Sequence, residues 1–193
     1  LGAILEEKFG TVKNFFFWNE RYPSQAGQDK IIKEVFFNNK RNGFFIEIGA
    51  FDGLQGSNCY HFEKFMNWKG IAIEASPTQF NKLKKNRNCQ LHNVALSSIK
   101  KEVEFYEVIE GFTQMSGINN TNYQDSFNRI INKSKSKINK IKTHSTVLSE
   151  IIPNNQIIDL LSIDIEGNEF EVLSSIDYNI YQIKVIILEN NIP

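Results

Sequence analysis

Gly43-Phe44-Phe45-Ile46-Glu47-Ile48-Gly49-Ala50-Phe51-Asp52-Gly53 joins a short apolar run to a loop bounded by glycines, and its reading governs the rest of the chain. From Phe44 to Ile48 only Glu47 is polar, so the run is a strand without the alternation of a half-wetted sheet. The following residues alternate longer amphipathic stretches with more runs of this kind. Ser57 to Trp68 reads as a helix and Gly70 to Ile73 as a second strand. Ser76-Pro77-Thr78-Gln79 has a capping side chain, Pro at the first helical position and Gln three residues after the cap. A helix is therefore predicted to start there and run to about Lys85. Gln90 to Ala95 is predicted as a third strand, and Glu102 to Tyr106 alternates like an extra, half-exposed one. Leu160 to Ile165 is the fourth strand, Glu169 to Ser174 opens a helix, and Ile183 to Leu188 is the fifth. Continuous apolar strands alternating with helices predict a doubly wound α/β fold, a mostly parallel Rossmann-like sheet covered on both faces.

Composition sets the outer limits. In 193 residues, 22 basic side chains balance 22 acidic ones. That balance argues against a protein that coats nucleic acid, which needs a basic surface. No stretch approaches the ~18 apolar residues of a membrane span, and a cytoplasmic location is expected. Cys59 and Cys89 are the only cysteines, which excludes a disulfide scaffold or a four-cysteine metal site. The main domain is predicted over residues 43–193, after an N-terminal helical segment over 1–42. A polar insertion over about 111–146 interrupts it, with six basic residues and no acid between Arg129 and Lys142. It reads as a solvated surface segment, or as a lid whose charge greets an anionic substrate.

Ligands of open α/β sheets bind beyond the carboxyl ends of the strands, and here those ends are polar. The first ends in Glu47-x-Gly49-x-x-x-Gly53, not the G-x-G-x-x-G that lets backbone amides approach a pyrophosphate. A ligand without phosphates needs only a tight turn, and a carboxylate at the strand end can hold a cationic group. S-adenosylmethionine meets both conditions, although such glycines can also simply serve a strand-to-helix turn. The second strand ends at Glu74, 21 residues past Gly53, close to the ~20 expected of an acid that accepts ribose hydroxyls. The fourth ends in Asp164-Ile165-Glu166-Gly167-Asn168-Glu169. Three carboxylates in six residues repel one another unless a cation, ligand or water intervenes. The fifth ends in Glu189-Asn190; with Asp164 these oxygens could hold a divalent cation or position a substrate hydroxyl.

Together these stretches resemble the FkbM-type S-adenosylmethionine-dependent methyltransferases. The match runs through Ser24-Gln-Ala-Gly-Gln-Asp29, Gly43 to Gly53, Ser57-Asn58, Trp68-Lys-Gly-Ile-Ala-Ile-Glu-Ala-Ser-Pro77, Asn93-Val-Ala-Leu-Ser97 and Leu160 to Glu169. The resemblance implies a class I methyltransferase domain acting on a small-molecule or glycan acceptor, with O-methylation of a hydroxyl on a sugar or natural product. Glu47 and Gly49 then look like the first cofactor motif, Glu74 like the ribose-binding acid, and Asn93 and Val94 like adenine contacts. Asp164 looks like the residue facing the methyl group. Gln28 and Asn58 fall in matching stretches and are further cofactor candidates. A complete sheet of this class has seven strands, so C-terminal strands are expected to be missing after Pro193.

Methyl transfer to a poorly acidic hydroxyl needs a base. Asp164 and Glu166 are the candidates, with His144 as a third because the insertion could fold over the site. A metal-assisted version would use Asp164, Glu189 and Asn190; the expectation is no metal. The competing readings are a nicotinamide-dependent oxidoreductase, disfavoured by the missing G-x-G-x-x-G, and a methyltransferase-like binding domain without activity.

Overall fold

The computed structural model describes residues 21–120, 123–124, 127–128 and 136–188. A helical segment, α1 (Gln28–Ile31) running on as a π-turn over Ile32–Phe36, leads into β1 (Phe44–Ile48). Then come α2 (Tyr60–Met66), β2 (Lys69–Ile73), α3 (Pro77–Asn86) and β3 (Gln90–His92). Four strands follow: β4 (Ala95–Leu96), β5 (Glu102–Glu110), β6 (Gly117–Ile118) and β7 (Lys137–Thr146). The described chain closes with β8 (Ile157–Ile163), α4 (Glu169–Ser174) and β9 (Gln182–Leu188).

One sheet has the order β3-β2-β1-β8-β9 and is parallel throughout. The order reverses between β1 and β8, which opens a crevice beyond their carboxyl ends. Successive residues of these strands serve opposite faces. Phe45 and Leu160, register partners, pack with Phe62, Met66 and Trp68 around α2, whereas Ile46, Ile48, Leu161 and Ile163 pack on the other side with Val172 and Ile176. With both faces buried, no alternation is needed, so the strands read as apolar runs. The start of α3 is built on the Ser76 cap and Pro77 that its sequence predicts, with Ser76 Oγ accepting a hydrogen bond from Gln79 N at 3.2 Å. Ser76 N donates to Glu74, however, so the Gln79 side chain does not close a capping box.

Three elements differ from expectation. The third strand stops at His92, and after Asn93-Val94 the chain leaves this sheet; Ala95–Leu96 pairs with β7 in a second sheet of order β4-β7-β5-β6. The insertion is not simply a solvated segment, because its residues Lys137–Thr146 form the long strand β7. Antiparallel pairing sets Glu104 opposite Lys142 and Glu110 beside Lys137, so acids on β5 meet part of the basic run. The fourth strand also ends earlier than predicted, at Ile163, which leaves Asp164 and Ile165 in the loop. Among the described residues no helix is long and apolar enough to cross a membrane.

Candidate active site

A cavity of about 500 Å³ opens at the carboxyl ends of β1, β2 and β8, roofed by Phe112–Ile118 on the way into the second sheet. Ligand pockets commonly fall between ~300 and 1,000 Å³. The glycine loop forms its floor. Gly49 has φ +79°, and a Cβ there would lie 1.7 Å from the Asp164 carbonyl oxygen, so only glycine lets the ends of β1 and β8 come together. Asp164 N donates to Ile48 O, and Gly49 N and Ala50 N both donate to Ile73 O, which fixes the loop against both neighbouring strands.

Glu47 points from β1 toward α2 and is 3% exposed. Its Oε1 accepts from Ser57 Oγ (2.7 Å), Asn58 N (2.9 Å) and Cys59 N (3.2 Å), while Oε2 takes Arg87 Nη1 at 2.6 Å. Arg87, with no exposed side-chain surface, also bonds Glu63 and the Gly53 carbonyl. Burial alone would push the Glu63 carboxyl up, but the Arg87 charge and the Asn88 amide bring it below its usual range. The carboxylate of Glu47 lines the cavity, but its bonds go to the chain itself; it shapes the loop.

Glu74 ends β2 and is held by two amides. Its Oε2 accepts from Phe51 N at 2.8 Å and its Oε1 from Ser76 N at 2.7 Å. Burial pushes its carboxyl up to about 7, with the two amides opposing and the nearby Glu107 charge assisting. Glu107, on β5, accepts from Ser76 Oγ (2.6 Å) and Thr78 N (2.9 Å), capping α3 from the second sheet. On the β8 side, Glu169 takes the amides of Ile165 and Gly167, closing the loop that carries Asp164 and Glu166 into the cavity wall.

The structure thus gathers Glu47, Gly49, Asn58, Glu74, Val94, Asp164 and Glu166 around one cavity. It places four expected residues elsewhere. Asn93 is exposed, and its amide donates to the Glu74 and Ala75 carbonyls, clamping the end of β2. Gln28 turns back to accept from Ala26 N, and its neighbour Gln25 reaches the cavity instead. Gly53 makes the turn behind the wall, with its N bonded to Ala50 O. His144 is exposed on β7 opposite Glu102, so β7 does not bring it over the site. Glu189 and Asn190 lie outside the described residues. Among those described, no three His, Cys, Asp or Glu side chains are grouped to hold a metal ion.

Sequence reasoning passed over Gln79, Asn168 and Arg87. Asn168 is 3% exposed, lines the cavity and donates to Leu96 O at 2.8 Å. Two cavity residues carry buried acceptors with no partner, Asn58 Oδ1 and Gln79 Oε1. Buried polar atoms are nearly always bonded, so this pair marks where a ligand's donors belong. With the acid of Glu74 between them in the chain and no phosphate-type glycine spacing, this set of acceptors fits the donors that S-adenosylmethionine offers, an ammonium, ribose hydroxyls and an amino-bearing base.

A family model described as the methyltransferase FkbM domain matches residues 47–191, well over half of the chain. Neither the curated proteins nor the solved structures yield a match.

Proposed function

The chain belongs to the methyltransferase FkbM domain family, and on that premise we propose that it transfers a methyl group from S-adenosylmethionine to a hydroxyl of a sugar or polyhydroxylated natural product. The observation that carries this reading is Glu74. Its carboxylate ends β2 at the crevice, anchored by the amides of Phe51 and Ser76, with lone pairs left for a vicinal diol. When bound, S-adenosylmethionine supplies an electrophilic methyl group on a sulfonium. Glu74 holds the ribose hydroxyls, and Asn58 Oδ1 accepts from the ammonium. Glu47 and Arg87 act through the loop they pin.

Asp164 is the base. It takes the acceptor's hydroxyl proton as the oxygen becomes the nucleophile, a role that contributes ~10²–10⁴ in rate. Glu166 flanks it. Among the described residues the cavity wall carries four acids, Glu47, Glu74, Asp164 and Glu166, of which Glu47 is paired with Arg87. Phe112, 58% exposed at the cavity wall, offers an aromatic face for the apolar side of a sugar ring.

Thermal denaturation with S-adenosylmethionine, S-adenosylhomocysteine and NAD separates this reading from its rivals. The two adenosyl ligands are expected to raise the melting temperature and NAD to leave it unchanged. Stabilisation by NAD alone would sink the methyltransferase reading.

A further inference from the structure

The most conspicuous unspent group in the cavity is the side-chain carbonyl of Gln79. The residue is 2% exposed, it lines the cavity, and Oε1 is buried without a hydrogen-bond partner. Such an acceptor is costly to leave unmade. The donors closest to it in the chain are committed elsewhere. The Ser76 hydroxyl and the Thr78 amide both donate to Glu107, and Gln79's own amide donates to Ser76 Oγ. The first turn of α3 thus fixes the Gln79 backbone and commits its local donors to Glu74, Glu107 and Ser76 Oγ, leaving the side-chain carbonyl for something that is not protein.

The surrounding wall says what kind of group that is. Ala75, four residues before Gln79, packs against Ala95, Phe105 and Ile118, and all four line the cavity. Ala75 comes from the loop after β2 and the other three from the second sheet, and together they form an apolar surface suited to a flat heteroaromatic ring. The ribose hydroxyls already have an acceptor in Glu74. A planar base that carries an exocyclic amino group buries its ring on the apolar wall and brings an N–H donor to an orphaned carbonyl. We propose that Gln79 reads the nucleobase of the methyl donor, its Oε1 accepting a hydrogen bond from the exocyclic amino group. The proposal rests on the donor reading given above, and it assigns base selection to α3 rather than to Asn93.

Wild-type protein and the Gln79→Met and Gln79→Leu variants would be titrated with S-adenosylhomocysteine and with its analogue bearing hydrogen in place of the amino group. Wild-type protein is expected to favour the amino ligand by about tenfold or more, the worth of one well-placed hydrogen bond. Both variants should narrow that ratio to within about twofold by weakening the amino ligand alone. Without ligand they should melt no lower than wild type, since an apolar side chain removes an unmet polar atom. A variant that keeps the wild-type ratio, or weakens both ligands equally, overturns the proposal. Wild-type protein that binds neither ligand overturns the donor reading and this proposal with it; wild-type protein that binds both equally overturns this proposal alone.

Discussion

Arg87 Nη1 lies 2.6 Å from Glu47 Oε2, with the arginine side chain wholly buried and that of Glu47 4% exposed. The pair sits behind the glycine loop, with Glu63 as a third member, so it couples helix α3 to the end of β1. Removing one partner of a buried pair strands a charge and costs about 3–5 kcal/mol. Arg87→Met is therefore expected to lower the melting temperature by roughly 6–20 °C. The triple change Arg87→Met, Glu47→Gln, Glu63→Gln should recover more than half of that loss, as measured by chemical denaturation. Equal instability of the single and triple variants would show that packing, not the stranded charge, sets the cost.

Gly49 is predicted to tolerate no side chain. Its left-handed backbone alone costs a non-glycine residue about 1–2 kcal/mol, and the Cβ would fall 1.7 Å from the Asp164 carbonyl oxygen. That obstacle is backbone and cannot swing aside. Gly49→Ala should lose more than about 3 kcal/mol of stability. A denaturation midpoint close to wild type would mean that β1 and β8 are not held together as described.

Glu74 should make the ligand-free protein pH-sensitive. Its carboxyl is raised from an ordinary 4.5 to about 7, so it contributes stability that is complete below 4.5 and lost as the pH rises through about 7. The loss amounts to about 3 kcal/mol, and Glu74→Gln should abolish this part of the pH profile. Ligand binding runs the other way. Ribose hydroxyls donate to the ionised acid, so affinity for S-adenosylhomocysteine should fall by up to about tenfold per pH unit below 7 and stay flat in Glu74→Gln. A pH-independent wild-type affinity would remove Glu74 from the ligand contacts.

Asp164→Asn is expected to lower the rate of methyl transfer by about 10²-fold or more while changing donor affinity less than about threefold.

Much of this arrangement can be read from local sequence. The strands of the parallel sheet are apolar runs because both faces are covered, and the α3 start is written in Ser76 and Pro77. The acids at the ends of β1, β2 and β8 stand where the crevice forms. What is not legible depends on distant partners. Arg87 at the end of a helix carries no local signal of its role, and only the joint arrival of Glu47 and Glu63 explains its burial. The departure of the chain at Asn93-Val94 depends on β7, some fifty residues later, offering an edge to Ala95–Leu96. Lys137, Lys140 and Lys142 look like a lid's charge until β5 supplies Glu104, Glu110 and the Tyr106 ring beneath them. Glu47 reads as a free ligand acid because neither the loop amides nor Arg87 are its neighbours in sequence.

The central claim is that the cavity at the β1–β8 crevice is the methyl donor's site, with Glu74 as its anchor. Calorimetric titration of S-adenosylhomocysteine into wild-type and Glu74→Ala protein at pH 8 tests it most directly. The account predicts a single site in the wild-type protein and affinity at least about tenfold weaker in Glu74→Ala, the worth of a lost charge-assisted hydrogen bond. Absence of binding to the wild-type protein, or identical affinities in the two, would contradict it.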